Sequence, residues 1–275
     1  RRRRPVSPMS RALWSVASSL RERIAAAPQV ALFLDYDGTL TPVVKHPSHA
    51  RLSAGVTRLL RRLAALPGVW VALVSGRALE DLRGMVGIDG LCYVGNHGLE
   101  MRGPKMRHVN PAARLCRPVL RRIAAELRPQ MRRTRGAWLE DKGLTLTVHY
   151  RRVDPADKIL VRNRFHGVVR PYQEKGQVRV TGGKEILEVR PPVRWDKGTM
   201  VRWLLARREA HTGAEVLPVY VGDDVTDEDA FEALGRRGIT VAVGPASPLT
   251  RAAYAVKAPS DVKRFLSLIL SARQP

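Results

Sequence analysis

The sequence of 275 residues has few cysteines, few acidic residues and no long apolar run. Its two cysteines, Cys92 and Cys116, are too few for a disulfide framework and lack the spacing of a metal-binding pair, which is typical of a reducing compartment. No stretch approaches the roughly 20 apolar residues that a membrane-spanning helix requires. The sequence therefore predicts a cytoplasmic globular protein without a membrane segment.

The shortage of acidic residues makes the chain strongly basic. It has 25 Asp and Glu against 48 Lys and Arg, so its formal net charge is +23. Such a charge attracts phosphorylated small molecules and polyanions alike, and does not by itself distinguish between them. The arginines are spread over several predicted helices, which favours solvated helix faces over a nucleic-acid footprint. Nucleic-acid binding is therefore not expected, apart from a secondary, salt-dependent contact by the tail Arg1 to Arg4.

Residues 1–28 combine this basic tail with an amphipathic segment that lacks the apolar core of a signal peptide. The apolar residues of the segment recur at helical spacing, at Leu13, Val16, Leu20 and Ile24. We therefore predict a basic tail followed by a helix. Because the sequence does not begin with Met, translation is expected to start upstream of Arg1 or at Met9.

Short apolar runs alternate with amphipathic stretches in two parts of the chain, residues 29–103 and 191–275. Apolar strands separated by helices are typical of buried parallel strands joined by crossover helices. The predicted strands are 30–34, 69–74, 91–94, 216–221 and 239–243, and the predicted helices are 59–66, 79–86, 197–208, 227–234 and 261–270. The two parts are predicted to form one α/β core with a Rossmann-like, doubly wound parallel sheet.

Residues 104–190, between these parts, have a different pattern. Helices are predicted at 111–127 and 155–169, and strands around 145–150, near 178 and at 186–189. This mixture indicates a smaller α+β domain inserted into the core.

Two carboxylates directly follow the first core strand, in the string Asp35-Tyr36-Asp37-Gly38-Thr39. Open α/β sheets bind their ligands at the carboxyl ends of the strands. There Asp35 can attack phosphorus as a nucleophile, and Asp37 can protonate the leaving group and then deprotonate a water. Gly38 permits a sharp turn, and Thr39 can bond the turn or a phosphate oxygen. An ordinary Asp-Gly turn has the same pattern, so this prediction needs further support.

Support comes from polar residues next to two other core elements, the end of a strand and the beginning of a helix. Ser75 and Gly76 come directly after the strand 69–74, where a hydroxyl and backbone N–H groups can cradle a phosphate. The next residue, Arg77, is predicted to be structural or to support the site. Lys197 begins a predicted helix, and its ammonium group can neutralise charge on the nucleophile and on the phosphoryl group.

A second set of acidic residues follows the strand 216–221. Asp223, together with Asp35 and the backbone carbonyl of Asp37, offers the hard oxygen ligands that Mg²⁺ prefers. Asp224 and Asp227 are then candidate ligands or hydrogen-bonding partners of the ligands. The alternative is an acidic first helical turn favoured by the helix dipole.

The order of these motifs resembles that of the haloacid-dehalogenase phosphatase superfamily. Within it, longer strings between about residues 29 and 270 resemble the trehalose-6-phosphate phosphatases. These strings are Gly95-Asn96-His97-Gly98-Leu99-Glu100, Glu140-Asp141-Lys142, His149-Tyr150-Arg151, Gly183-Lys184, Glu188-Val189-Arg190-Pro191, Trp195-Asp196-Lys197-Gly198 and Gly222-Asp223-Asp224-Val225-Thr226-Asp227-Glu228-Asp229-Ala230-Phe231. The resemblance implies Mg²⁺-dependent hydrolysis of trehalose 6-phosphate through an aspartyl-phosphate, the last step of trehalose biosynthesis.

In that family an inserted cap domain closes over the core and supplies sugar-binding residues. The positions of this sequence that match those residues are Glu140, Lys142 and Glu188, with Asn96 and His97 at the edge of the core. Carboxylates accept hydrogen bonds from sugar hydroxyls, and a lysine can reach phosphate or hydroxyl oxygens. The alternative for Glu140 and Lys142 is an exposed pair on a cap strand.

Two other functions stay open from the sequence. The core motifs also fit a phosphatase for another sugar phosphate, such as sucrose 6-phosphate. A non-catalytic polyanion-binding module would keep the fold and use the positive charge, but it would be expected to have lost Asp35, Asp37, Lys197 or Asp223. The prediction is a monomeric enzyme that acts on a small sugar phosphate.

Overall fold

The chain folds into two compact units. The computed structural model describes residues 10–44, 47–183, 185–245 and 247–274, so Arg1 to Arg4 and Lys184 lie outside the described residues. The larger unit contains the described residues up to Arg107 and from Trp195 onward, and the inserted unit is His108–Arg194. The inserted domain predicted from the sequence, 104–190, begins and ends slightly earlier than this unit.

The described strands and helices follow one another in the alternation expected of an α/β core with an insertion. The strands are β1 (Arg11–Ala12), β2 (Gln29–Asp35), β3 (Val69–Val74), β4 (Cys92–Gly95), β5 (Glu100–Gly103), β6 (Met106–Val109), β7 (Trp138–Asp141), β8 (Leu146–His149), β9 (Arg179–Gly183), β10 (Ile186–Arg190), β11 (Val216–Gly222), β12 (Ile239–Val243) and β13 (Tyr254–Val256). The helices are α1 (Ala17–Ala26), α2 (Ala54–Ala65), α3 (Leu79–Val86), α4 (Pro111–Leu115), α5 (Arg117–Arg132), α6 (Lys158–Glu174), α7 (Lys197–Thr212), α8 (Glu228–Leu234) and α9 (Pro259–Arg273).

Among the described residues, nine strands form the main sheet, in the order β1-β13-β12-β11-β2-β3-β4-β5-β6. In this order, each of the first seven strands, from β1 at the edge to β4, is parallel to its neighbours among them. The next strand, β5, pairs antiparallel with β4. β2 lies between β11 and β3, so the first strand of the predicted core is buried in the middle of the sheet. The carboxyl ends of β2 and β11 are therefore neighbours.

The side chains of β2 pack into a separate apolar cluster on each face of the sheet. Leu32 and Leu34 belong to a cluster with α2, α3 and α9, whereas Ala31 and Phe33 belong to a cluster with α7 and α8. A strand that is covered on both faces needs apolar residues at every position, which explains its continuous apolar run. The predicted doubly wound α/β class is confirmed.

Helix ends follow local capping signals that the apolar pattern alone did not locate. The helix predicted to begin at 59 begins at Ala54, because the Ser53 hydroxyl caps it by accepting a hydrogen bond from the Val56 N–H. The single helix predicted over 111–127 is divided at Cys116 into α4 and α5. Pro118 lies in the first turn of α5, where its missing N–H favours a new helix start over continuation.

The inserted unit is a four-stranded antiparallel sheet, in the order β7-β8-β10-β9, packed against α5 and α6. Leu139, Val148 and Leu187 lie opposite one another across the strands and pack toward the helices. Because side chains alternate between the faces of a sheet, the next residue of each strand faces the other way. We call that other side the polar face; its residues include Trp138, Glu140, Thr147, His149 and Glu188.

In the described part of the chain, no helix is long and apolar enough to cross a membrane. Both cysteines are buried free thiols. Burial raises the pKa of Cys92 to about 12, so this thiol stays protonated near neutral pH.

Candidate active site

The neighbouring ends of β2 and β11 bring Asp35 and Asp223 together. The turn after β2 is held by the Gly38 N–H, which donates to the Thr41 carbonyl, and by the Thr39 hydroxyl, which donates to Asp223 Oδ1 at 2.8 Å. Gly38 has a φ of +88°, and a Cβ there would lie 2.0 Å from Asp223 Oδ2. Glycine is therefore required both by the backbone conformation and by the closeness of the carboxylate.

Lys197 links two carboxylates in the interior of the larger unit. Its Nζ donates to Asp35 Oδ1 at 2.6 Å and to Asp227 Oδ1 at 2.7 Å. α7 places it there because Asp196 caps the helix, accepting a hydrogen bond from the Thr199 N–H at 2.7 Å. A Cβ at Gly198 would lie 2.3 Å from the Asp229 carbonyl oxygen, so a small residue is needed for this close approach of the helix.

Asp227 is fully buried and holds Lys197 in place. Besides Lys197, it accepts hydrogen bonds from the Tyr220 hydroxyl at 2.7 Å and from the Asp224 N–H at 2.9 Å. The sequence predicted Asp224 and Asp227 as ligands or their partners, but it gave no sign of Tyr220. Tyr220 lies within the apolar run of β11, where an aromatic residue normally indicates core packing.

Three carboxylates and one ammonium group dominate the electrostatics here. Burial raises the pKa of Asp35 well above its usual value; Lys197 opposes this, and the charges of Asp227 and Asp223 add to it. Burial alone would lower the pKa of Lys197, but the two carboxylates raise it above its usual value, so the lysine stays charged. Partial removal from water raises the pKa of Asp223 to about 6, and the hydrogen bond from Thr39 opposes this rise. The Asp223 side chain nevertheless keeps contact with solvent.

These groups fit a divalent cation. Asp35, Asp223 and Asp227 each offer a carboxylate oxygen, and these oxygens lie within 4.8 Å of one another. Lys197 balances one of the three negative charges, so a surplus of negative charge surrounds oxygen donors of the kind that Mg²⁺ prefers. Asp223 is the most accessible of the three carboxylates, whereas Asp227 is already engaged by its hydrogen-bond donors.

The Asp37 carboxylate lies outside this group and is held by Arg77. Arg77 Nη2 donates to Asp37 Oδ1 at 2.6 Å, and its Nε donates to Oδ2 at 2.7 Å, a two-pronged ion pair. The guanidinium also lies 5.6 Å from the centre of the Tyr36 ring. The Asp37 side chain is 42% exposed. Arg77, which was predicted to be structural or to support the site, therefore fixes the orientation of Asp37, the predicted acid and base.

The turn after β3 brings the predicted phosphate-binding residues close to His97. Ser75 is buried, and its Oγ accepts a hydrogen bond from the Arg77 N–H at 3.1 Å. A Cβ on Gly76 would lie 2.5 Å from His97 Cε1, so the imidazole packs directly on this glycine. Ser75, Gly76 and His97 are thus neighbours, but their roles in binding phosphate or substrate stay predictions.

Asn96 is fully buried and has a positive φ of 48°. Its side-chain Nδ2 donates to Glu100 Oε1 at 2.6 Å, and the same oxygen accepts a hydrogen bond from the Leu79 N–H. Glu100 therefore ties the turn after β4 to the start of α3. This contact indicates a structural task for Asn96, and the predicted substrate contact stays a prediction.

The predicted sugar-binding residues of the inserted unit share its polar face. Lys142 Nζ lies 3.3 Å from Glu188 Oε1 and 4.0 Å from Glu140 Oε2. The Thr147 hydroxyl donates to Glu188 Oε1 at 3.3 Å, and His149 Nε2 lies 2.7 Å from Glu140 Oε2. Thr147 and His149 were not predicted, although the alternation of β8 places both on this face.

Comparison with known proteins gives a match to the trehalose-phosphatase family model over residues 33–261. The trehalose-phosphate phosphatase of Mycobacterium marinum is 37% identical over 248 residues, which are 89% of this chain and 62% of that protein. The chain thus spans about three-fifths of the length of this relative.

Solved structures agree on the fold. The C-terminal domain of trehalose-6-phosphate phosphatase from C. albicans is 28% identical, with a TM-score of 0.80, and the match covers 95% of this chain and 99% of that one. A haloacid dehalogenase-like hydrolase from B. subtilis, 14% identical with a TM-score of 0.54 over 86% of this chain and 98% of that one, shares the fold. With the haloacid-dehalogenase fold and a family match over most of its length, the chain belongs to the trehalose-phosphatase family.

Proposed function

We propose that this chain hydrolyses trehalose 6-phosphate to trehalose and phosphate, as a cytoplasmic monomer that catalyses the last step of trehalose biosynthesis. The observation that carries the proposal is the contact of Lys197 with both Asp35 and Asp227 in a member of this family. The ammonium group of Lys197 lies 2.6 Å from the carboxylate of Asp35 at the end of β2. A positive charge at this position helps a carboxylate nucleophile to approach a dianionic phosphate.

In the first step, an Asp35 carboxylate oxygen attacks the phosphorus and the bond from phosphorus to the sugar oxygen breaks. Asp37 donates its proton to the departing sugar oxygen, so that the sugar leaves as an alcohol. Lys197 stays protonated throughout, because two carboxylates surround it, and its charge stabilises the phosphoryl group in transit. The products are aspartyl-phosphate and the free sugar.

In the second step, Asp37 accepts a proton from a water, and the resulting hydroxide attacks the phosphorus. The bond between phosphorus and the Asp35 oxygen breaks, which releases inorganic phosphate and restores the carboxylate. Arg77 keeps the Asp37 carboxylate in one orientation through two hydrogen bonds. We propose that Thr39, Ser75 and the Gly76 N–H hold phosphoryl oxygens during both steps.

We propose Mg²⁺ as the cofactor, held by Asp35, Asp223 and the backbone carbonyl of Asp37, with Asp224 and Asp227 as supporting residues. When bound, the ion would neutralise charge on the phosphoryl group. The surplus of carboxylates over ammonium groups supports a divalent ion here. Asp227 serves mainly to hold Lys197, because its carboxylate is occupied by hydrogen-bond donors.

For the sugar we propose Glu140, Lys142 and Glu188 as binding residues, together with Asn96 and His97. The first three share the polar face of the inserted unit, where charged groups stand 3.3 to 4.0 Å apart. Such a cluster can accept and donate hydrogen bonds to several hydroxyls of a disaccharide at once.

The first test is phosphate release by the purified protein with Mg²⁺ from trehalose 6-phosphate, sucrose 6-phosphate and glucose 6-phosphate. We expect release from trehalose 6-phosphate alone, and its loss on addition of a chelator. Release from another sugar phosphate would keep the chemistry but change the substrate. No release from any of them would contradict the proposed activity and favour a polyanion-binding module, which salt-dependent retention on DNA would then reveal.

A second prediction concerns Gly38→Ala. The new methyl group would lie 2.0 Å from Asp223 Oδ2 and would overlap it. Alanine also disfavours the backbone φ of +88° that Gly38 adopts. Because Asp223 must then move, we expect the Mg²⁺ concentration for half-maximal phosphate release to rise by about tenfold or more.

The matched control for this variant is Gly84→Ala. Gly84 lies within α3, and a Cβ there meets nothing within 4 Å, so alanine should raise the free energy of unfolding by about 0.5–1 kcal/mol and leave Mg²⁺ dependence unchanged. An equal Mg²⁺ dependence in the two variants would show that Asp223 does not bind the ion.

A further inference from the structure

Trp138 lies on the polar face of the inserted unit rather than in its apolar core. The neighbouring Leu139 packs against the core, and Trp138 points to the opposite side of β7 with 37% of its surface exposed. The exposed part of this aromatic side chain lies beside charged groups, and such a combination of apolar and polar groups is suited to binding a ligand.

The Trp138 ring covers the imidazole of His149. The two residues are directly opposite each other on β7 and β8, their ring centres are 4.0 Å apart, and their planes differ by 5°. The face-to-face contact removes rotational freedom from both rings. The pair is therefore a rigid, flat surface at the edge of the sheet.

His149 also contacts the carboxylate of Glu140, two residues along β7 from Trp138. His149 Nε2 and Glu140 Oε2 are 2.7 Å apart, and His149 donates this hydrogen bond in the tautomer that carries the proton on Nε2. Lys142 reaches the same oxygen at 4.0 Å. These two contacts orient the Glu140 carboxylate, whose oxygens are hydrogen-bond acceptors.

We propose that Trp138, His149 and Glu140 form one sugar subsite, in which His149 positions the Glu140 carboxylate and Trp138 fixes His149. The chemistry fits one pyranose ring: an aromatic face attracts the C–H groups of a sugar, and an oriented carboxylate beside it accepts hydrogen bonds from vicinal hydroxyls. This inference rests on the proposed function, and it adds His149 and Trp138 as positioning and specificity residues for the sugar.

The test compares two His149 variants with two substrates. His149→Phe keeps a flat ring beside Trp138 but loses the hydrogen bond to Glu140, and His149→Gln keeps an N–H donor but loses the ring. For His149→Phe we expect KM for trehalose 6-phosphate to rise about 10-fold, with kcat changed by less than about twofold. His149→Gln should recover part of this loss, and Trp138→Ala should raise KM about threefold to 10-fold.

The second substrate is p-nitrophenyl phosphate, which has no sugar hydroxyls to recognise. Its kcat/KM should stay within about twofold of wild type in all these variants, since the phosphoryl chemistry uses other residues. His166→Gln, on the exposed side of α6, is the matched control and should change neither substrate. A parallel fall for both substrates in the His149 variants would overturn the subsite, because it would indicate a general structural defect.

A double-mutant cycle separates positioning from direct contact. If His149 acts through Glu140, then His149→Phe should raise KM by less than about twofold when Glu140→Gln is already present. Independent, multiplying effects would overturn the positioning role. If the wild type hydrolyses p-nitrophenyl phosphate but not trehalose 6-phosphate, the substrate assignment and this subsite both fail. If it hydrolyses both and His149→Phe keeps a normal KM, only the subsite fails.

Discussion

Asp35→Asn is expected to reduce phosphate release by at least about 10³-fold, because an amide oxygen cannot form the aspartyl-phosphate. The amide can still accept the hydrogen bond that Lys197 now gives to Asp35 Oδ1 at 2.6 Å, so the site should keep its shape. The measurement is phosphate release under saturating Mg²⁺, together with isolation of phosphorylated protein after acid quench. Wild type should be trapped with phosphate on Asp35, and the variant should not.

The same substitution should stabilise the metal-free protein. Burial raises the pKa of Asp35 above its unfolded value, so the ionised carboxylate opposes folding at pH values above the folded pKa. Asparagine removes this charge. The gain in Tm should be largest at pH values above the folded pKa and should shrink as the pH falls from there toward the unfolded pKa, because the wild-type carboxyl is then protonated in the folded protein as well.

Asp89→Asn is the control for both effects, since Asp89 is exposed on the loop between α3 and β4 and is not one of the site residues. It should change neither turnover nor Tm appreciably. Substantial turnover by Asp35→Asn would rule out Asp35 as the nucleophile. A fall in Tm in metal-free solution would show that Asp35 contributes more through Lys197 than it loses through burial.

Lys197→Met should destabilise the metal-free protein by about 3–5 kcal/mol, because it leaves the buried carboxylates of Asp35 and Asp227 without their shared cation. The pKa of Lys197 is raised in the folded protein, so its stabilising contribution is fully present at every pH below the usual pKa of a lysine. This contribution persists into alkaline solution. The loss should therefore be seen across the neutral range. Turnover should fall by about 10²-fold or more, since the phosphoryl group loses a preorganised charge.

Urea unfolding in chelator and in Mg²⁺ measures the stability effect. A divalent ion between the carboxylates should return part of the lost stability, so Mg²⁺ should stabilise Lys197→Met more than wild type. Lys263→Met, on the exposed face of α9, provides the control for removing a lysine and should change stability by less than about 0.5 kcal/mol. Equal unfolding midpoints for the two variants would mean that the carboxylates do not need Lys197.

Central elements of the core could be predicted closely, and edge elements could not. The predicted strands 69–74 and 239–243 and the predicted helix 79–86 coincide with β3, β12 and α3. These elements are covered by others, so burial imposes an apolar pattern that the sequence displays. β1, β5, β6 and β13 are short and lie toward the edges of the sheet, where one side faces solvent and no continuous apolar run is needed.

By itself, the sequence determined which acids stand at strand ends. Asp35 and Asp223 each follow an apolar run, and parallel strands necessarily end at one edge of the sheet, so a shared site was predictable. The strings around Glu140 and Glu188 likewise indicated a family, and family comparison confirmed it.

Only the tertiary structure decided which partner each of these groups has. Strand order, register and the position of α7 decide these contacts. They are the pairs Asp37 with Arg77, Asp227 with Tyr220 and Glu140 with His149. These are set by the packing of the whole core, whereas a hydrogen bond requires its atoms to be placed within a few tenths of an ångström. Local sequence fixes the chemical type of a side chain, and long-range packing fixes what that side chain touches.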